Sequence, residues 1–201
     1  MQKKNFLSTK RMAKIAILAV IAFILMYFEF PLPIAPSFYK IDFSELPVLI
    51  GGFALGPMSA MMIELLKLLL KVMFKGSQTA YIGEFANLIC GCALVCPAAF
   101  IYKRNKTKKQ ATWGLFVGSV CMVIVGYIAN VYLIIPAYIN ICNFPEETIV
   151  SMGQAIVPAI NSIETLALYC TTPFNMVKAA LLSIISFFLY KRVSPLLKRE
   201  D

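Results

Sequence analysis

The sequence predicts an all-α integral membrane protein, a six-helix transmembrane bundle with both the N- and the C-terminus cytoplasmic. Three observations carry that expectation. The 201 residues are 60% hydrophobic and 14% charged, with a mean hydropathy of +0.77, more apolar surface than one water-soluble core of this size hides. The apolar residues gather in runs suited to a bilayer. The basic residues lie between those runs: Lys3, Lys4, Lys10, Arg11 and Lys14 precede the first, Lys103, Arg104, Lys106, Lys108 and Lys109 fill one loop, and Lys191, Arg192, Lys198 and Arg199 follow the last. By the positive-inside rule these three segments are cytoplasmic.

The first helix is expected over 12–30. Its basic start and apolar centre resemble a signal peptide, but Pro31, Leu32, Pro33 and Ile34 make a poor small-residue cleavage site, so it reads as an uncleaved helix. The segment from Pro31 to Pro47 is too rich in proline for a helix. A second helix over 45–55 is too short to span and returns through Gly56 and Pro57, since glycine favours the end of one helix and proline the first turn of the next. Helices three and four are expected over 57–74 and 82–102, the fifth over 112–139 and the last over 170–190. Between the last two, residues 141–169 mix polar and apolar residues, which predicts a folded cap with a short helix. Six helices agree with the three basic segments on one side, and residues 1–201 read as one membrane domain.

Composition excludes several function classes. The net charge of +9 does not indicate nucleic acid, because the basic residues flank apolar runs instead of clustering on a soluble face. A zinc site is not expected: histidine is absent and Cys90, Cys92, Cys96, Cys121, Cys142 and Cys170 mostly lie within apolar runs as small packing residues. The chain carries no Walker A glycine-lysine motif, so it is not expected to hydrolyse ATP.

Charged side chains at mid-helix cost about 2.5–3.5 kcal/mol on insertion scales, so each one is informative. Glu64 and Lys67 share a face of the third helix and can neutralise each other. Lys71 and Lys75 continue that face, and snorkelling to the interface is the plain account of them. Glu84 with Asn87, Asn130, and Asn175 with Lys178 are expected at one level in the outer half, the last two near the start of their helix. Polar residues at one depth on several helices fit either interhelical bonding or a ligand pocket. Phe38, Tyr39, Phe43, Tyr81, Phe85, Tyr127 and Tyr132 fit either an interfacial belt or stacking faces for a planar ligand.

Several motifs resemble the substrate-binding S components of energy-coupling factor (ECF) transporters, in particular the riboflavin-specific ones. They are Phe30-Pro31-Leu32-Pro33, Tyr39-Lys40-Ile41-Asp42-Phe43-Ser44-Glu45-Leu46-Pro47, Gly56-Pro57, Glu64-Leu65-Leu66-Lys67, Gly83-Glu84-Phe85-Ala86-Asn87 and Pro173-Phe174-Asn175-Met176-Val177-Lys178. The resemblance runs along nearly the whole chain. It implies a multi-pass protein of the bacterial cell membrane whose pocket opens outward, with the proline-rich loop closing over riboflavin. The implied ligand-binding residues are Asn175, Lys178, Asn130, Tyr39, Lys40, Asp42, Phe43, Glu84 and Asn87. Riboflavin is then cargo, with no cofactor, metal or catalytic residue expected. The implied partners are membrane lipid and an energising module of one transmembrane coupling subunit and two ATPase subunits. Such proteins commonly dock through alanines four apart on the first helix. Here Ala13, Ala16, Ala19 and Ala22 recur at three and Val20 interrupts the spacing of four. Two alternatives stay open: an S component for another vitamin of the pyridoxine or thiamine type, and a small intramembrane enzyme using Glu64, Glu84 and Lys178.

Overall fold

In lipid a chain must satisfy its backbone hydrogen bonds internally, and a helix does so within one segment. The computed structural model describes residues 8–77 and 79–198, with side chains to 190; Lys3, Lys4 and Arg199 of the basic flanks lie outside that range. Helix α1 (Thr9–Tyr27) leads into β1 (Phe30–Pro31) and β2 (Lys40–Ile41), then α2 (Glu45–Leu55), α3 (Pro57–Lys75) and α4 (Ile82–Arg104). Helix α5 (Lys108–Ala129) continues through a π-helical turn (Asn130–Ile134) into α6 (Ile135–Cys142). After α7 (Glu146–Gln154), the short α8 (Ile163–Leu166) passes through a second π-helical turn (Ala167–Thr171) into α9 (Thr172–Lys198). Among the described residues the regular structure is helical apart from the antiparallel β1–β2 pair, which opposes Phe30 to Ile41 and Pro31 to Lys40.

Among the described residues, three continuous stretches are long and apolar enough to cross a membrane: Ile82–Arg104, Lys108–Cys142 and Ile163–Tyr190. Three of the six expected helices thus meet that criterion. Helix α2 has 11 residues, while α1 and α3 carry Lys10, Arg11 and Lys14, and Glu64, Lys67, Lys71 and Lys75. The reversal between α2 and α3 is as the sequence predicts: Gly56 takes a positive φ of 98° and Pro57 opens α3. The last helical stretch begins at Ile163, seven residues before the expected start, because Glu164 and Thr165 make its first turn look polar.

Small residues set the closest helix contact. A Cβ at Gly114 would lie 2.6 Å from the Ala98 carbonyl oxygen, and one at Gly118 would strike that of Leu94, so α5 rests directly on the α4 backbone. This half of the bundle encloses an apolar core that includes Leu18, Leu49, Phe53, Ile63, Leu94, Met122 and Leu182. A separate core of Ala35, Ile41, Ile135, Ile149, Ile160, Leu166, Cys170 and Phe174 joins the proline-rich loop to the expected cap over 141–169. The alanines of α1 divide: Ala19 and Ala22 are buried, Ala13 and Ala16 exposed. The six cysteines are free thiols.

Candidate ligand-binding site

Below the proline-rich loop lies a cavity of about 420 Å³, within the size range of small-molecule pockets. Loop residues Phe38, Tyr39, Lys40 and Asp42 form its roof. Glu84, Asn87 and Cys90 come from α4, Asn130 from the first π-helical turn, and Phe174, Asn175 and Lys178 from α9. Eight of the nine residues singled out in the sequence therefore meet at one cavity. Phe43 does not: it packs against the apolar core, its ring centroid 6.4 Å from that of Phe30. The β1–β2 pair presents Lys40 and Asp42 to the cavity, and the chain turns into α2 immediately after them.

Helix periodicity explains why α9 supplies two polar groups. Asn175 and Lys178 are three apart and share a face. They lie about 18 Å or more along the helical stretch from Ile163, deeper than the sequence suggested. Lys178 Nζ lies 3.3 Å from Asp42 Oδ2, and Asp42 Oδ1 accepts the Ser44 backbone N–H at 2.8 Å. Burial pushes the Asp42 carboxyl up, but Lys178, Lys67 and the Ser44 bonds outweigh it and hold it at about 2.

Tyr39 joins the roof to both π-helical turns. Its hydroxyl donates to Asn130 Oδ1 at 2.8 Å and lies 2.7 Å from Thr171 Oγ1, which must then be the donor in that contact. The Asn130 amide is fixed in turn by donating to the Gly126 carbonyl at 2.8 Å. Burial pushes the Tyr39 phenol up, so it remains a neutral donor. By contrast, Asn87 Oδ1 and Asn175 Nδ2 are buried with no hydrogen-bond partner in the protein. Each such group costs about 1–3 kcal/mol. Gly126 is required beside them, since a Cβ there would strike Asn175 Nδ2.

Ion pairs ring the rim. Glu29 accepts from Lys75 at 2.7 Å and Lys40 at 3.2 Å, while Lys71 pairs with Glu84 at 3.2 Å. Lys71 and Lys75 are thus held by carboxylates instead of snorkelling freely. Burial raises the Glu29 carboxyl, yet its two lysine partners and Lys71 hold it below the usual carboxylate range. Ser77 donates to the other oxygen of Glu84 at 2.8 Å. The sequence reading missed Glu29, Thr171 and Tyr138 as parts of this site. Glu29 carried a signal, being a lone acid at the end of the first apolar run; Thr171 and Tyr138 carried none.

Residues 10–190 match the family described as ECF transporter, substrate-specific component. The chain belongs to that family. Among its relatives, the "Riboflavin transporter RibU" of Staphylococcus aureus is 31% identical over 198 residues, 98% of this chain and 97% of that one. The "Riboflavin transporter FmnP" of Bacillus subtilis is 29% identical over 195 residues, 96% of this chain and 97% of that one. A solved structure of the S component of a bacterial ECF transporter superposes with a TM-score of 0.74 at 30% identity, covering 94% of this chain and 98% of that one. Within the S-component fold, the cavity lies at the end of the bundle carrying the proline-rich loop and the cap. The 103–109 basic loop lies at the opposite end.

Proposed function

We propose that this S component binds riboflavin in the cavity below the proline-rich loop and delivers it to an ATP-driven energising module. The observation that carries the reading is the pair of buried, unpartnered amide atoms, Asn87 Oδ1 and Asn175 Nδ2, beside Lys178 in a cavity walled by Phe38, Tyr39 and Phe174. Riboflavin offers an apolar tricycle to the aromatic walls and a pyrimidine edge of donors and acceptors to the amides. The relatives of nearly equal length named as riboflavin transporters support the same cargo.

In this reading the nine residues act in four ways. Asn175, Lys178, Asn87 and Asn130 read the polar edge; Tyr39, Lys40 and Asp42 bring the loop down over it; Glu84 anchors the rim through Lys71. Phe43 supports the loop from behind. The whole chain is one membrane domain of six helices in a bacterial plasma membrane, with both termini and the 103–109 loop cytoplasmic and the cavity facing outward. It performs no chemistry itself, and a coupling subunit with two ATPase subunits supplies the energy. Absorbance of the detergent-purified chain, followed by release and identification of the bound molecule, tests the cargo. A flavin spectrum and released riboflavin are expected; a colourless chain that fails to quench riboflavin fluorescence would overturn the assignment. Reconstituted alone in liposomes, the chain should show no ATP-dependent uptake.

A further inference from the structure

Behind the cavity wall, and lining none of it, lies a second cluster of charges. Lys67 on α3 has its Nζ 2.7 Å from Glu45 Oε1 at the start of α2 and 2.9 Å from Glu64 Oε2 one turn earlier on its own helix. It also donates to Ser44 Oγ at 3.0 Å. The three side chains are sealed, with 0% of Lys67 and 1% of each glutamate exposed. Helix α4 closes the site with Gly91, where a Cβ would lie 2.5 Å from Glu64 Oε1 and 3.1 Å from Glu45 Oε1. Both carboxylates therefore converge on one point, and only glycine leaves them room.

The surrounding charges do not balance. The groups that act on this cluster are Asp42 from the loop, Glu45 from α2, Lys67 from α3, the Cys90, Cys92 and Cys96 thiols from α4, and Lys178 from α9. With Glu64, three carboxylates face two ammonium groups. Lys178 sits against Asp42, which leaves Lys67 between two glutamates. Glu45 Oε2 and Glu64 Oε1 find no hydrogen-bond donor. Two carboxylates in one enclosed site do not both ionise, and a surplus buried charge is neutralised by binding a cation. A metal ion would need several oxygen ligands, and here it would sit against the Lys67 ammonium.

We propose that Glu45 and Glu64 share one bound proton, which makes the Glu45–Lys67–Glu64 cluster a proton-binding site enclosed by α2, α3 and α4. The proton comes from bulk water, forms an O–H bond on one carboxyl and is donated across to the other, so Lys67 balances the single remaining negative charge. This inference is independent of the cargo assigned to the cavity.

Infrared spectra of the full chain in detergent, in H2O and D2O, test it. The wild-type protein should show a protonated-carboxyl C=O band at neutral pH that shifts down in D2O and persists in the alkaline range. Glu64→Gln and Glu45→Gln should each abolish it, because the remaining carboxylate then pairs with Lys67 and needs no proton. Absence of the band from the wild-type protein, which requires no variant to fold, would overturn the proposal. So would a band surviving in either variant, which would place the acid on one residue or elsewhere. A band lost when choline is replaced by sodium, with a rise in melting temperature, would make the site a sodium site and overturn the proton assignment.

Discussion

Lys67 and Lys178 are both buried on helices beside carboxylates, yet the protein uses them in opposite ways. Lys67 meets two glutamates at 2.7 and 2.9 Å and a serine at 3.0 Å, and it lines no part of the cavity. Lys178 meets a single carboxylate at a longer 3.3 Å and lines the cavity beside the unpartnered amide of Asn175. The Lys67 ammonium has its three donors engaged and ties α2 to α3. Lys178 has one carboxylate partner and turns toward the cavity. Burial of a charge alone therefore does not mark a ligand site; what distinguishes Lys178 is that it faces a cavity beside an unpartnered amide.

The largest effect expected from this contrast is on folding. Lys67→Met leaves two glutamates without their cation and should lower stability by about 3–5 kcal/mol, seen as a loss of folded protein or a large fall in melting temperature in detergent. A variant that melts like the wild-type chain would erase the distinction. Lys178→Ala should instead spare most of the fold while weakening riboflavin binding by about 2 kcal/mol, roughly thirtyfold in Kd, measured by fluorescence quenching.

Acid should probe the same pair. Asp42 is held at about 2 in the folded chain, below its ordinary value of 3.8. A carboxylate whose folded value is depressed adds stability that is full above its unfolded value and lost as pH falls through the folded one. Closure of the loop should thus be unchanged from neutral pH to about 5 and fail between about pH 4 and 2. Smaller again, Gly126→Ala should push the Asn175 amide aside and cost about 1 kcal/mol of binding. Lys75→Ala removes a part-exposed rim pair and should change binding by less than about 1 kcal/mol.

Much of this architecture is legible in the residues themselves. Gly56-Pro57 dictates its reversal locally, and the three-residue step from Asn175 to Lys178 fixes a shared face wherever the helix starts. Loop geometry is not local in that way. Phe43 turns toward the core and Glu45 enters a sealed cluster because β1–β2 pairing sets the direction of the chain into α2. The partners of Lys75 and Lys71 are likewise invisible, since Glu29 lies 46 residues from Lys75 and Glu84 belongs to the next helix. The alanines of α1 divide between core and exterior because a uniform step of three falls short of a helical turn and carries them around the helix.

The two π-helical turns carry a consequence for how the chain can vary. Each holds one more residue per turn than an α-helix would, so everything beyond it is rotated in phase. Deleting one residue within Asn130–Ile134 or Ala167–Thr171 would give a more regular helix, yet it would swing the following side chains by about 100°. Ile135 and Tyr138 would leave the cavity wall in one case, Asn175 and Lys178 in the other. These short segments can therefore change composition more freely than length, and their residue count works as a phase setting for the wall beyond.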